Sequence, residues 1–190
     1  LRPEIVNEFQ EFKEKNFKDH FVIGFHWRGT DVKKWYNKKS TIDIDTISKY
    51  LDPIINSNNK VKIFLCTDEK LLLEIFIKRY KELTIYTDSY RSNSKEALHL
   101  KDTYPRENHK YKLGKEVLLD ALLLSSCNML IGRDSNVCRA AMVMGDLNLD
   151  QFIIIPGDGS QKFNFKQYLT DPFFVYGTRI KNHFSKIKKQ

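Results

Sequence analysis

The sequence predicts an α/β fold, an open and mainly parallel sheet with helices on both faces. Three observations predict it. Strand patterns and helix patterns alternate along the chain. The strand runs are nearly continuous in apolar residues, as strands covered on both faces must be. Each of four strands also ends in a polar cluster: HWRGTD, TDE, TDS and GRDSN. In a parallel sheet those four ends share one edge, and ligands bind outside that edge near a topological switch point.

Residues 3–17 have the spacing of an amphipathic helix, with Ile5, Phe9, Phe12 and Phe17 facing inward. FVIGFHW (21–27) is the first strand. IDIDTISKYLDPI follows as a helix, with Asp45 or Thr46 as the candidate N-cap and Ile47, Tyr50 and Leu51 on one face. VKIFLCTD (61–68) is the second strand, KLLLEIFIKRYKE a helix and LTIYTD (83–88) the third strand. The polar stretch 89–112 is a long loop, of a length that usually carries function. A helix over 116–126, a strand over 128–134, a helix over 135–145 and a last strand over 152–157 complete the alternation. This is the order of a Rossmann-like domain, expected over 1–160, with a basic C-terminal segment over 161–190.

With 190 residues, 41% of them hydrophobic and 13% aromatic, the chain can bury a full core. No apolar run is long enough to span a bilayer, and the start lacks an apolar signal core. Cys66, Cys127 and Cys138 each sit in or beside an apolar segment. Three such residues form no disulfide framework and fit a reducing, cytoplasmic setting. No His/Cys cluster has metal-site spacing, so no metal is expected. The net charge of +8, concentrated partly in RIKNHFSKIKKQ, suits an anionic ligand, a weak contact with an anionic membrane, or nucleic acid. Charge is the only argument for nucleic acid, because no recognised binding motif is present.

At the shared edge, Arg28 carries a planar fork able to hold two phosphate oxygens. Gly29 permits close approach, and Asp31 can orient the guanidinium or cap the next turn. A surface Arg–Asp pair closing the strand explains the same residues. Ser135 is a natural N-cap at a helix start whose free N–H groups bind anions, with Asn136 beside it and Arg139 one turn further on. Asp68 and Glu69, after Thr67, read by default as caps of the following helix. Asp120 lies among apolar residues and needs a partner, which a base edge with two N–H donors, a buried arginine or a backbone N–H pair could supply. No GxGxxG, P-loop, GxSxG or HExxH motif occurs.

IGFHWRGTD, IFLCTDE and LLDALLLSSCNMLIGRDSNVCRAAMVMG, in that order, resemble three segments of one fucosyltransferase group. The group contains α-1,6-fucosyltransferases, Nod-factor fucosyltransferases and, more distantly, protein O-fucosyltransferases. The resemblance covers roughly residues 20–145 and implies the donor-binding domain of a GT-B glycosyltransferase. It implies inverting, metal-independent transfer of a sugar from GDP-fucose to a glycan or glycoconjugate acceptor, with no cofactor. Arg28 would grip the β-phosphate, Ser135 and Asn136 would donate to the diphosphate, and His26 with Asp120 would contact guanine. Asp68 would lie at the sugar or support Arg28. IDID, similar to the DxD metal motif of another glycosyltransferase class, is explained by the helix it precedes.

Many α-1,6 members of the group carry a second Arg where this chain has Gly29 and a Lys where it has Val32. They also carry a later acidic residue near the place of Tyr36. Asp31 is then the nearest carboxylate, and no catalytic base is named. The donor half of a larger enzyme and a non-catalytic sugar-nucleotide module are the competing readings. If the chain is a fragment of an anchored Golgi-type enzyme, a luminal location follows.

Overall fold

The computed structural model describes residues 1–29, 44–92, 106–133, 135–145 and 151–155. Thr30, Asp31, Val32, Tyr36, the turn at 157–160 and the basic segment 161–190 lie outside them. The elements are α1 (Pro3–Asn16), β1 (Phe21–Trp27), α2 (Ile44–Ser57), β2 (Val61–Thr67), α3 (Lys70–Tyr80), a 3-10 turn (Lys81–Leu83) and β3 (Thr84–Ile85). They continue with α4 (His109–Leu124), β4 (Met129–Gly132), α5 (Asn136–Met144) and β5 (Phe152–Ile154). The sheet order is β3-β2-β1-β4-β5 and every pairing is parallel. The order turns back between β1 and β4, so the switch point lies where β1 ends.

Side chains alternate across a strand, and that alternation divides the interior in two. Ile23, Phe25 and Trp27 of β1 join Ile63 and Leu65 of β2 against Ile47 and Leu51 of α2 and Leu72 and Phe76 of α3. Val22, Phe64 and Leu130 face the other way, toward α1, α4 and α5. There Phe12, Phe17 and Phe64 meet edge to face, with ring centroids 5.6–6.0 Å apart. Ile5 and Phe9 are buried with Phe17, and Phe12 packs half-buried against them, so all four inward positions expected over residues 3–17 meet the core.

Several boundaries differ from the sequence expectation. Asp45 and Thr46 stand inside the first turn of α2, which begins at Ile44. Asp45 therefore favours the helix through its charge at the positive end rather than as an N-cap. β3 pairs only through Thr84 and Ile85, because at the sheet edge β2 is its sole neighbour among the described residues. Tyr86–Asp88 leave the ladder. α4 starts at His109, seven residues before the expected start, after Asn108 turns the chain in the left-handed conformation (φ 53°) that Asn tolerates. The loop expected over 89–112 is shorter for that reason. β4 and β5 are shorter than expected as well.

Candidate functional site

Because every strand runs the same way, the described residues of the four polar clusters share the carboxyl edge of the sheet. His26, next to last in β1, lies in register with Cys66 of β2 on one side and Gly132 of β4 on the other. A side chain at Gly132 would come within 2.5 Å of the His26 carbonyl oxygen, so this crossing requires glycine. Above His26 and Cys66 opens a cleft of about 520 Å³. Its walls are the ends of β1 and β2, the segment after β3, α4 and the first turn of α5.

Asp120 forms the floor and is 7% exposed. Thr87 donates to one carboxylate oxygen at 2.7 Å and the Cys66 thiol to the other at 3.4 Å. Burial pushes the Asp120 carboxyl up to about 6, against the lowering effect of those two hydrogen bonds. Burial, with the neighbouring carboxylate, also pushes the Cys66 thiol well above its ordinary range. Cys66 is therefore a thiol donor at neutral pH and not a nucleophile.

His26 is 4% exposed. Burial, reinforced by the charge of Arg28, lowers its ring to about 4, so the imidazole is neutral at physiological pH. Its Nδ1 lies 3.3 Å from the Ser135 hydroxyl and 3.4 Å from the Cys138 thiol. Both of those groups can donate to Nδ1, and with Nδ1 accepting, the neutral ring carries its proton on Nε2. Ser135 also caps α5 by accepting from the Cys138 N–H at 3.2 Å. Capping and contact with His26 use the same hydroxyl.

Arg28 and Asp68 line the cleft where the strands end. The cap expected of Asp68 is not made. Glu69 occupies the N-cap position of α3 without a side-chain cap, and Asp68 instead accepts the Gly29 N–H at 2.9 Å. The Glu69 carboxylate lies where a side chain on Gly29 would have to go. Two acidic residues just after β2 thus flank the backbone next to Arg28, Asp68 through a hydrogen bond and Glu69 by close approach. Thr67 lines the cleft too, and its hydroxyl accepts the Glu69 N–H at 3.2 Å.

The outer wall contains residues that the sequence reading missed. Tyr90 packs edge to face on His109 at 5.1 Å, and the Arg106 guanidinium lies over its ring at 5.2 Å. Arg106 is held in turn by a two-pronged pair with Glu116 at 2.6 and 2.7 Å. Ser89, Tyr90 and Glu116 all line the cleft. The advance signals for this group were the polar corner TDS after the third strand and the length of the stretch 89–112, neither of which singled out a residue.

The structure therefore brings His26, Arg28, Thr67, Asp68 and Asp120 around one space, with Gly29 buried behind it. Ser135, exposed Asn136 and half-buried Arg139 stand beside the cleft rather than in its wall, and Val137 is the α5 residue that enters it. Arg133 of the GRDSN cluster goes to the opposite face, its guanidinium 4.4 Å from the centre of the Trp27 ring. Asp31, the other candidate catalytic residue, lies outside the described residues.

No protein-family model matches this sequence, and no curated protein matches it. Solved structures do. NodZ α-1,6-fucosyltransferase co-crystallised with GDP superposes with a TM-score of 0.54 at 22% identity, over 76% of this chain and 42% of that one. The chain has the fold of part of NodZ. Fucosyltransferase NodZ from Bradyrhizobium gives a TM-score of 0.50 at 22% identity, over 76% of this chain and 43% of NodZ. At that identity the likeness is one of fold: the α/β parallel sheet expected from the sequence is also the fold of this part of NodZ. The chain spans less than half the length of NodZ.

Proposed function

We propose that this chain is the donor-binding domain of a glycosyltransferase, one that transfers fucose from GDP-fucose to an acceptor hydroxyl with inversion and without a metal. The observation that carries this reading is the convergence of Arg28, His26 and Asp120 on one cleft at the carboxyl edge of the sheet. The convergence gives a nucleotide sugar complementary groups along its length. Asp120 accepts from the N–H groups of a guanine edge, and the His26 Nε2–H donates to an acceptor on the same base. Arg28 takes the β-phosphate through its fork.

In transfer, the bond between the anomeric carbon and the β-phosphate oxygen breaks and negative charge grows on the departing diphosphate. A cation fixed in advance stabilises that charge more than it stabilises the bound donor, and this difference is what accelerates the step. The sugar passes through an oxocarbenium-like state, as in glycoside hydrolysis. Ser135 and Asn136, at the start of α5, would add donors to the diphosphate. Asp68 would act through its hold on the Gly29 backbone and thus on Arg28.

Titration calorimetry with GDP and GDP-fucose tests the reading. The wild-type chain is expected to bind both, and Arg28→Ala to weaken GDP roughly 10- to 100-fold, the worth of a charge-assisted contact. Absence of binding to either ligand by the wild type overturns the proposal. Binding of GDP-fucose without sugar release to any supplied glycan, in the presence or absence of EDTA, identifies a binding module or isolated donor half in place of a competent enzyme.

A further inference from the structure

After Ile85 the chain leaves the sheet, and the backbone that follows has no ladder to pair with. Arg91 supplies partners from within the same segment. One guanidinium nitrogen donates to the Thr87 carbonyl and another to the Ser89 carbonyl, both at 2.9 Å. The guanidinium also lies over the Tyr86 ring, 5.4 Å from its centre. A rigid planar fork can hold two carbonyls of one bend at once, which a lysine cannot do. Arg91 thus fixes the shape of residues 86–91 without standing in the wall of the cleft.

Both ends of this segment are tied to the candidate site. At one end the Thr87 hydroxyl donates to the Asp120 carboxylate at 2.7 Å and lies 2.8 Å from the Ser89 hydroxyl. At the other, Ser92 bridges to the start of α3. Its N–H donates to the Asp68 carbonyl at 2.9 Å, and its own carbonyl accepts the Lys70 N–H at 3.3 Å. The Asp68 side chain accepts the Gly29 N–H in turn, next to Arg28. Residues 87–92 therefore run from the floor of the cleft to its cationic end, and Arg91 sets the bend between the two attachments. Arg91 acts through its charge as well. Burial raises the Asp120 carboxyl to about 6, against the Thr87 and Cys66 hydrogen bonds and the Arg91 cation, which hold it down; Glu116 adds to the rise.

We propose that Arg91 is a positioning residue for the nucleotide sugar: standing outside the cleft, it holds Thr87 and Ser92 where they keep Asp120 and Asp68 in place relative to Arg28. This rests on the nucleotide-sugar reading and extends it to a residue beyond the cleft wall.

The test is calorimetric titration of the chain with GDP from about pH 5 to about pH 8.5, with thermal melting alongside, for wild type, Arg91→Met, Arg91→Lys and Ile47→Val. Around Asp120 stand Cys66 of β2, Arg91, Glu116 of α4 and His26 of β1, with Cys138 of α5 against His26. Burial keeps His26 neutral over that range and Cys66 a thiol. A guanine edge needs Asp120 ionised, so wild-type affinity should fall as pH drops through about 6. The phosphate of GDP titrates alike against every variant, so the difference between variants is the readout. Arg91→Met removes the cation and slackens the Thr87 contact, the two influences by which this segment holds the carboxyl down. Its midpoint should move to higher pH, and its affinity at about pH 8 should fall roughly tenfold, the worth of a charge-assisted hydrogen bond. Arg91→Lys keeps the charge and loses the fork, so both changes should be smaller. Ile47→Val trims a buried side chain on the other face of the sheet; it should melt earlier and keep wild-type affinity and midpoint. Wild-type affinity and midpoint in Arg91→Met overturn the proposal. So does a lower affinity with an unmoved midpoint, because Arg91 then contributes to stability alone. If Arg91→Met does not fold, Arg91→Lys decides on the same two readouts. Failure of the wild-type chain to bind GDP overturns the donor reading too, and shows in the wild-type titration alone.

Discussion

On the α2–α3 side of the sheet, β1 contributes Ile23, Phe25 and Trp27, and the apolar core runs to the last residue of the strand. On the α4–α5 side the same strand contributes Val22 and Gly24, then His26, and the core gives way to Cys66, Asp120 and an open cleft. The two sides share backbone, register and strand length. They differ in which parity of residue faces them. One sheet can therefore be closed on one face and chemical on the other, and substitutions one residue apart should separate stability from binding.

The largest expected effect breaks the closed side. Phe76 is fully buried between Phe25, at 5.0 Å between ring centroids, and Tyr80, at 5.5 Å. Phe76→Ala should cost about 3–5 kcal/mol of stability through lost burial and a cavity that rigid neighbours cannot refill. Urea unfolding measures it. GDP affinity per folded molecule should stay at the wild-type value; a proportional fall in affinity would show that the two sides are not independent.

On the open side, two buried titratable groups pull in opposite directions. The Asp120 carboxyl is raised from the ordinary 3.8 to about 6, so the folded state prefers its neutral form. Its contribution to stability is complete below pH 3.8 and is lost as pH rises through about 6. The His26 ring is lowered from 6.5 to about 4, so the folded state again prefers the neutral form. That contribution is complete above pH 6.5 and is lost as pH falls through about 4. Each shift corresponds to a change on the order of 3 kcal/mol. Asp120→Asn should thus gain stability relative to wild type as pH rises from 3.8 to about 6, while His26→Phe should gain on acidification from 6.5 to about 4. Unfolding free energies across that range check the signs, and two flat difference curves would contradict the burial of these two groups in the floor of the cleft.

Much of the closed side could be read from the sequence, because it depends on local pattern. Continuous apolar strands demanded two covering layers, and Ile47, Leu51, Phe9 and Phe17 followed from helical spacing. The four polar clusters announced the edge. The open side depends on contacts across distance, which no local pattern encodes. Asp120 signalled only a need for partners, and these turned out to be Thr87 and Cys66, 33 and 54 residues away. Thr87 reaches Asp120 because the edge strand stops pairing after Ile85. The sequence read as strand there, since LTIYTD has strand composition whether or not a neighbour exists. Gly114 in turn obscured the start of α4, so Tyr90, Arg106 and His109 fell inside an apparent loop.

The smallest effect concerns the seam where the two sides meet, at the residue after Arg28. Gly29 gives its N–H to Asp68, and the Glu69 carboxylate occupies the space its side chain would need. Gly29→Ala must therefore displace Glu69. A carboxylate at the end of a flexible side chain can move, so the cost should lie at the low end for overpacking, about 1 kcal/mol. Glu69→Ala removes the obstacle. Combined with it, Gly29→Ala should cost less than it does alone, giving a coupling energy of roughly 0.5–1 kcal/mol in a double-mutant cycle followed by urea unfolding. The same cycle read by GDP titration reports on Arg28, whose backbone continues into Gly29. If the displaced carboxylate drags that backbone with it, affinity falls in Gly29→Ala and returns in the double variant. Strict additivity in both readouts would mean that Glu69 does not occupy the volume above Gly29, and that the hydrogen bond from the Gly29 N–H to Asp68 holds this backbone without it.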